Sequence, residues 1–577
     1  MKTNNKFLIT LMAGTLVLGS CKESFLDLPP QGVYDEISLS NKKGVNGMLI
    51  NTYATLDGQE GTWYAGASNW VWGSIMGADA YKGSEPSDQT DVNPVMRFQI
   101  QPSNPILLNK WNGTWDGIGQ ANLVLRIAPK AKDLTADELK QITAEARFLR
   151  GHHYFEGKKM WKNIPFIDEN TTDFKVPNTN GADYVNIWPK IEEDLKFAFD
   201  NLTETKPNAG RINKWGAGCF LAKAYMFQNK YAEAKALFDQ IIANGRTSKG
   251  DKYGLMDAYS ANFRVTSENN KETVFAIQSS YGDGSNTNGN YDNALNFPHN
   301  SGSKPGGCCG FFQPSQSMVN SYKTTAAGLP MPDTYNQAPS VTSDEDKASS
   351  DPFTPYAGTV DPRLDWSVGR RGIPYYDWGV HPGKDWIRKV DYGGPYSPKK
   401  NTYYKADEGS TAGVVGWGWA NTALNYTIMR FADVLLMAAE AEVEVGSLAK
   451  ATEYVNLVRT RAKNSPVLNG AVNAANYVVN VYPATFASQA EGRKAVRFER
   501  KLELAMEGHR FFDLVRWGIA DTEINAYLAF DGLLRVEAIG GGVTFTKGRN
   551  EYYPIPEYAI SQSLKDGQPT LKQNPGY

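Results

Sequence analysis

Helical periodicity fills both ends of this 577-residue chain and stops between them, and that break limits the folds open to it. Apolar residues recur at three- and four-residue spacing over 40–56, 110–129, 136–161, 186–202, 211–228 and 230–244. In the third stretch Ala144, Phe148, Leu149, His152 and Phe155 form the apolar stripe. Helices resume over 426–446, 448–463 and 491–519, before a Pro-rich tail. From 281 to 425, Gly, Pro, Asn and aromatic residues dominate and the period is lost. A loop stretch that long in a compact protein is functional or disordered, and aromatic density argues against disorder. The expected fold is mainly α: tetratricopeptide-like helical hairpins, with a large irregular insertion of loops and short strands that carries the ligand site.

Two helix pairs support the hairpins. Leu221, Ala222, Tyr225, Ala234 and Phe238 match part of the tetratricopeptide pattern, with Gly218 where that pattern prefers Trp. A looser copy runs through Ala438, Ala439, Ala451 and Val455. Small residues in such units let helices approach closely while large ones fill the gap.

The N-terminus carries an address. Lys2 and Lys6 precede an uncharged run from Phe7 to Leu18, then Gly19, Ser20 and Cys21. This is the layout of a cleaved secretory signal over residues 1–20, and a run of about 12 apolar residues is too short to span a bilayer. Leu-x-x-Cys resembles a bacterial lipobox, which implies lipidation at Cys21 and anchoring through acyl chains. Residues 22–32 read as a Pro-containing tether.

Net charge is −2 and no basic run occurs, which argues against nucleic acid as a partner. None of the five histidines has zinc-ligand spacing, and His152-His153 reads as structural. Asp283-Gly284-Ser285-Asn286-Thr287 opens like a calcium loop but lacks the later Gly and Glu, so structural calcium is a weak expectation. Cys308 and Cys309 stand between glycines, whose permissive dihedrals suit a vicinal disulfide, a flat apolar plate for a ligand face. Cys219 reads as a buried thiol.

A ligand with an apolar face and a polar rim is held by flat rings on the face and by Asp, Asn or Arg at the rim. Three loop clusters offer that mixture: Trp70, Trp72, Asp79 and Tyr81; Arg370, Arg371, Tyr375, Tyr376 and Trp378; and Trp386, Tyr403, Tyr404, Trp417 and Trp419. Trp417 and Tyr375 are expected to be removable at the cost of affinity alone.

Glu499, Glu503, Glu507 and Arg510 fall at i, i+4, i+8 and i+11, with Arg500 and Arg516 nearby, a pattern suited to local ion pairs. This block, running on to Phe512-Asp513 and Arg516-Trp517-Gly518, resembles the SusD/RagB family. So do Cys21-x₃-Phe25-Leu26-Asp27, Ala144 to Arg150, Asn163 to Phe166, Arg430 to Leu436, Asn456-x₂-Arg459-x-Arg461-Ala462 and Gln573 to Tyr577. The resemblance divides the mature chain into an N-terminal helical region (21–280), the insertion (281–425) and a C-terminal helical region (426–577). It implies a non-enzymatic lipoprotein on the outer face of an outer membrane. Such a protein captures oligosaccharides for a SusC-like TonB-dependent transporter in polysaccharide utilisation. The alternatives are peptide capture, a glycoside hydrolase with two carboxylates across a cleft, and a helical-repeat adaptor.

Overall fold

The structure is a computed structural model that describes residues 36–58, 62–285, 287–300, 302–416 and 418–577. The expected signal sequence and tether, with Cys21, lie outside the described residues, as does Trp417.

The principal helices before the insertion are α1 (Lys42–Ala54), α2 (Pro105–Ile127), α3 (Ala136–Trp161), α4 (Trp188–Asn201), α5 (Lys214–Met226) and α6 (Tyr231–Asn244). Those after it are α7 (Phe431–Val445), α8 (Leu448–Lys463), α9 (Gln489–Glu503), α10 (Arg510–Arg516) and α11 (Ala520–Leu534). Each helix from α2 to α7 packs on the next, and α7 also packs on α8 and α9. The two ends of the chain therefore build one continuous helical layer, the expected mainly α architecture. A capping box starts α3: Thr135 Oγ accepts from the Glu138 amide at 3.2 Å while Glu138 accepts from the Thr135 amide at 3.0 Å. In the α5–α6 hairpin Leu221, Ala222, Ala234 and Phe238 are buried. Gly218 faces Phe199 of α4, so a ring from the neighbouring helix fills the place of the expected Trp. His152 and His153 are both buried, and burial pushes them down to about 4 and about 3, which keeps them neutral.

The longer strands are β1 (Ala80–Gly83), β2 (Thr273–Ile277), β3 (Phe311–Pro314), β4 (Ala412–Val415), β5 (Trp419–Thr422) and β6 (Tyr426–Arg430). They pair antiparallel as β1–β3, β2–β6 and β4–β5. Residues 426–430, expected as the start of a helix, thus form a strand, and α7 begins only at Phe431, whose amide donates to Glu272 O at 2.7 Å.

The helix expected over 491–519 is broken. Met506 and Gly508 adopt φ of +65° and +75°, and the carbonyls of Glu503 and Ala505 accept from Lys400 Nζ. Glu507 and Arg510 therefore leave the face that carries Glu499 and Glu503. Their partners are long-range rather than one turn away. Glu499 pairs with Arg363 and Arg459, Glu503 with Arg363, Arg430 and Arg461, and Glu507 with Lys400 and Arg430. This buried network rivets the insertion (Arg363, Lys400) to α8 and α9.

Candidate functional site

A cleft of about 830 Å³ opens where α1, the 207–211 turn and the 276–291 strand and loop converge. Its lining mixes apolar residues such as Ile50, Leu56 and Ile277 with the uncharged polar side chains of Asn208, Gln278, Ser280, Thr287 and Asn288, beside Tyr53 and Tyr291. Arg211 adds one cation, lies 5.3 Å from the Tyr53 ring centroid and is tied to Glu145 at 3.0 Å.

Tyr291 also belongs to a row of half-buried rings. Trp63 stands 5.9 Å from it, centroid to centroid and tilted by 30°, and Trp419 stands 6.4 Å away on edge. The row runs from the loop after α1 to the start of β5. The segment with Tyr291 is laced to β5, since the Asn290 amide donates to Thr422 O at 2.9 Å and the Ala420 amide to Ala294 O at 3.3 Å. Cys308 and Cys309 are joined to each other, and the Cys309 amide donates to Leu295 O at 3.3 Å. Gly307 lies so close to Gly418 that a Cβ there would come within 2.3 Å of its carbonyl oxygen, so the cysteine pair abuts the tip of the β4–β5 hairpin. Cys308 is half-buried and Cys309 buried.

Most of the aromatic residues expected to meet a ligand are core. Trp70 and Trp72 are buried, and their indole N–H groups donate to the carbonyls of Trp63 at 2.8 Å and Tyr64 at 2.6 Å. They are struts beneath the Trp63 loop. Asp79, pushed up to about 6 by burial, accepts from the Met506 amide and Ser74 Oγ, and the Tyr81 hydroxyl donates to Asp531. Arg370 is held at both ends of the Asp365 carboxylate, and Arg371 donates to Ser349 O and Asp351 O. Tyr375 and Trp378 join Phe297, Trp386 and Tyr403 in a small second core. The insertion's own α-helices are only four to six residues long, so its rings pack on one another to fold it. Tyr404 is half-buried with both faces covered, by Tyr376 at 4.2 Å and the Arg264 guanidinium at 3.9 Å. Of the candidates, Trp419 belongs to the ring row, and Cys308 follows Gly307, which abuts Gly418, next to Trp419. Trp63 and Tyr291 were not expected; a lone ring after a Gly- or Asn-rich run, as in Asn288-Gly289-Asn290-Tyr291, is the signal for both. The Asp283 carboxylate accepts from Ser280 Oγ, the Ser285 amide and Asn288 Nδ2 within its own loop.

Asp57 supplies the cleft's carboxyl group. Burial, then the nearby Asp292 charge, pushes it up to about 8. An unfolded Asp ionises near 4, so folding retains a proton between about pH 4 and 8, and stability falls as the pH rises through that window. Asp57→Asn should raise the melting temperature by a margin that widens from pH 4 to pH 8 and then levels. A margin independent of pH in thermal melts would contradict this assignment.

Residues 271–577 match the model of the SusD family, and residues 34–226 match a model described as starch-binding, associating with outer membrane. SusD-like protein P25 of Formosa agariphila is 23% identical, with 87% of each chain covered. A laminarin-binding SusD-like protein shares the fold with a TM-score of 0.65 at 22% identity, covering 93% of this chain and 100% of its own. Surface glycan-binding protein A of Bacteroides thetaiotaomicron, solved with laminarihexaose, has a TM-score of 0.67 at 19% identity, covering 92% and 99%. Among the described residues no helix is long and apolar enough to cross a membrane.

Proposed function

Because the chain belongs to the SusD family, we propose that it is a non-enzymatic oligosaccharide-binding protein of the cell surface. The observation that carries this reading is the row Trp63–Tyr291–Trp419, whose middle ring lines a cleft that mixes polar and apolar groups. The rings suit the C–H faces of successive sugars, and the amides and hydroxyls of the cleft suit their rims. Trp417 and the Cys308–Cys309 plate are further proposed contacts. Relatives of the same fold that bind laminarin or hold laminarihexaose support a glycan over a peptide. The cleft lining supports binding over hydrolysis: Asp57 is its one carboxylic acid among the described residues, whereas hydrolysis uses a pair. Affinity electrophoresis in gels cast with laminarin and other polysaccharides tests the reading. Retardation is expected in at least one; capture of peptides with no retardation in any would favour the peptide reading.

The proposal extends to an acylated Cys21 that holds the protein on the outer membrane, from which it delivers ligand to a SusC-like TonB-dependent transporter. Cys21→Ala should move the protein from the membrane to the soluble fraction. Sedimentation of the variant with outer membranes in cells lacking the transporter would contradict the anchor.

A further inference from the structure

Beneath the ring row lies a carboxylate that the row itself does not explain. Asp292 follows Tyr291 in a one-turn helix and is 3% exposed. Its side chain points away from its own segment and across to the loop that carries Trp63. There it accepts from the Gly66 amide at 3.3 Å, the Ser68 amide at 3.2 Å and the Ser68 hydroxyl. Gly66 is required for the approach, since a Cβ there would stand 2.7 Å from Asp292 Cγ. The same loop is also held by Lys110 of α2, whose ammonium donates to Ala65 O at 3.0 Å and Gly66 O at 2.6 Å.

Resting on the oligosaccharide-binding reading, we infer that Asp292 is the positioning residue of this site. It clamps the Trp63 loop to the Tyr291 segment, and ligand is held tightly only while the clamp is charged and closed. The groups that face it are Asp57 from the turn after α1, Lys110 from α2 and the Tyr426 hydroxyl from β6, which donates to Ser68 O at 3.1 Å. Burial pushes Asp292 up to about 6, against the Ser68 hydroxyl, Lys110 and the two amides. Below that pH it takes a proton and no longer presents a full negative charge to its three donors. Asp57 stays protonated over the same range and adds nothing to the change. Affinity should therefore fall on acidification from pH 7 to pH 5.

Asp292→Asn tests the clamp by titration of laminarihexaose, maltohexaose and cellohexaose and by hydrogen exchange of the free protein. Expected at pH 7 are affinity about tenfold or more below the parent, as for loss of hydrogen bonds to a charged group, faster exchange at the Gly66 and Ser68 amides, and no further affinity loss down to pH 5. Parent-like affinity, or a parent-like pH profile in the variant, overturns the inference. Should Asp292→Asn fail to fold, Ser68→Ala removes one donor and must lower affinity and speed exchange over 62–68; no change in either also overturns it. If the parent binds none of the sugars, the functional reading fails separately, and the exchange rates still judge the clamp.

Discussion

Glu503→Ala is expected to destabilise the protein more than any other single truncation considered for this chain. The Glu503 carboxylate is fully buried and accepts from Arg363 at 3.0 Å, Arg430 at 2.9 Å and Arg461 at 2.5 Å. Burial pushes this carboxyl up, but the three guanidinium groups and Lys400 win and hold it down at about 2. Its contribution is thus complete above about pH 4.5 and is lost as the pH falls through about 2. Truncation leaves three guanidinium groups buried around a void. Breaking one buried pair by removing a partner costs about 3–5 kcal/mol, and here one residue serves three. The same residue ties the insertion, through Arg363, to α8 and α9, so its loss should also loosen the insertion. Thermal melts at pH 7 check this: a large drop is expected, and melting within a degree or so of the parent would contradict it.

How much of this was legible beforehand depends on how local each cause is. The helices announced themselves because an amphipathic stripe is written every three or four residues. The carboxylate block was legible as charge pairing but not as to partners, because Arg363, Arg430, Arg459 and Arg461 reach it from distant parts of the chain. The same limit hid the strand at Tyr426–Arg430, which exists because Thr273–Ile277 lies beside it. Aromatic density in 281–425 could not separate rings that fold that stretch, such as Tyr375 and Trp378, from half-buried rings of the row, such as Tyr291 and Trp419. Trp70 and Trp72 drew attention by their size, yet it is the loop they brace that presents a ring, Trp63.

Truncating the rings of the row should give the opposite signature to Glu503. Trp63 and Trp419 are half-buried, so their loss removes stacking surface with little cost to the core. Trp63→Ala and Trp419→Ala are expected to weaken oligosaccharide binding by about 1–3 kcal/mol each, as anchors at interfaces do, while melting near the parent. Tyr375→Ala now belongs with the core substitutions. Its ring is fully buried and its hydroxyl is satisfied by Pro398 O and Thr402 Oγ, so truncation should cost about 3–5 kcal/mol of stability.

Isothermal titration of the parent and of Trp63→Ala, with the glycan that retards the parent in gels, tests the central claim most directly. The account predicts saturable binding by the parent and a loss of roughly ten- to hundredfold in a variant that remains folded. Unchanged affinity in folded Trp63→Ala, with the same result for Trp419→Ala, would place the glycan elsewhere on the molecule.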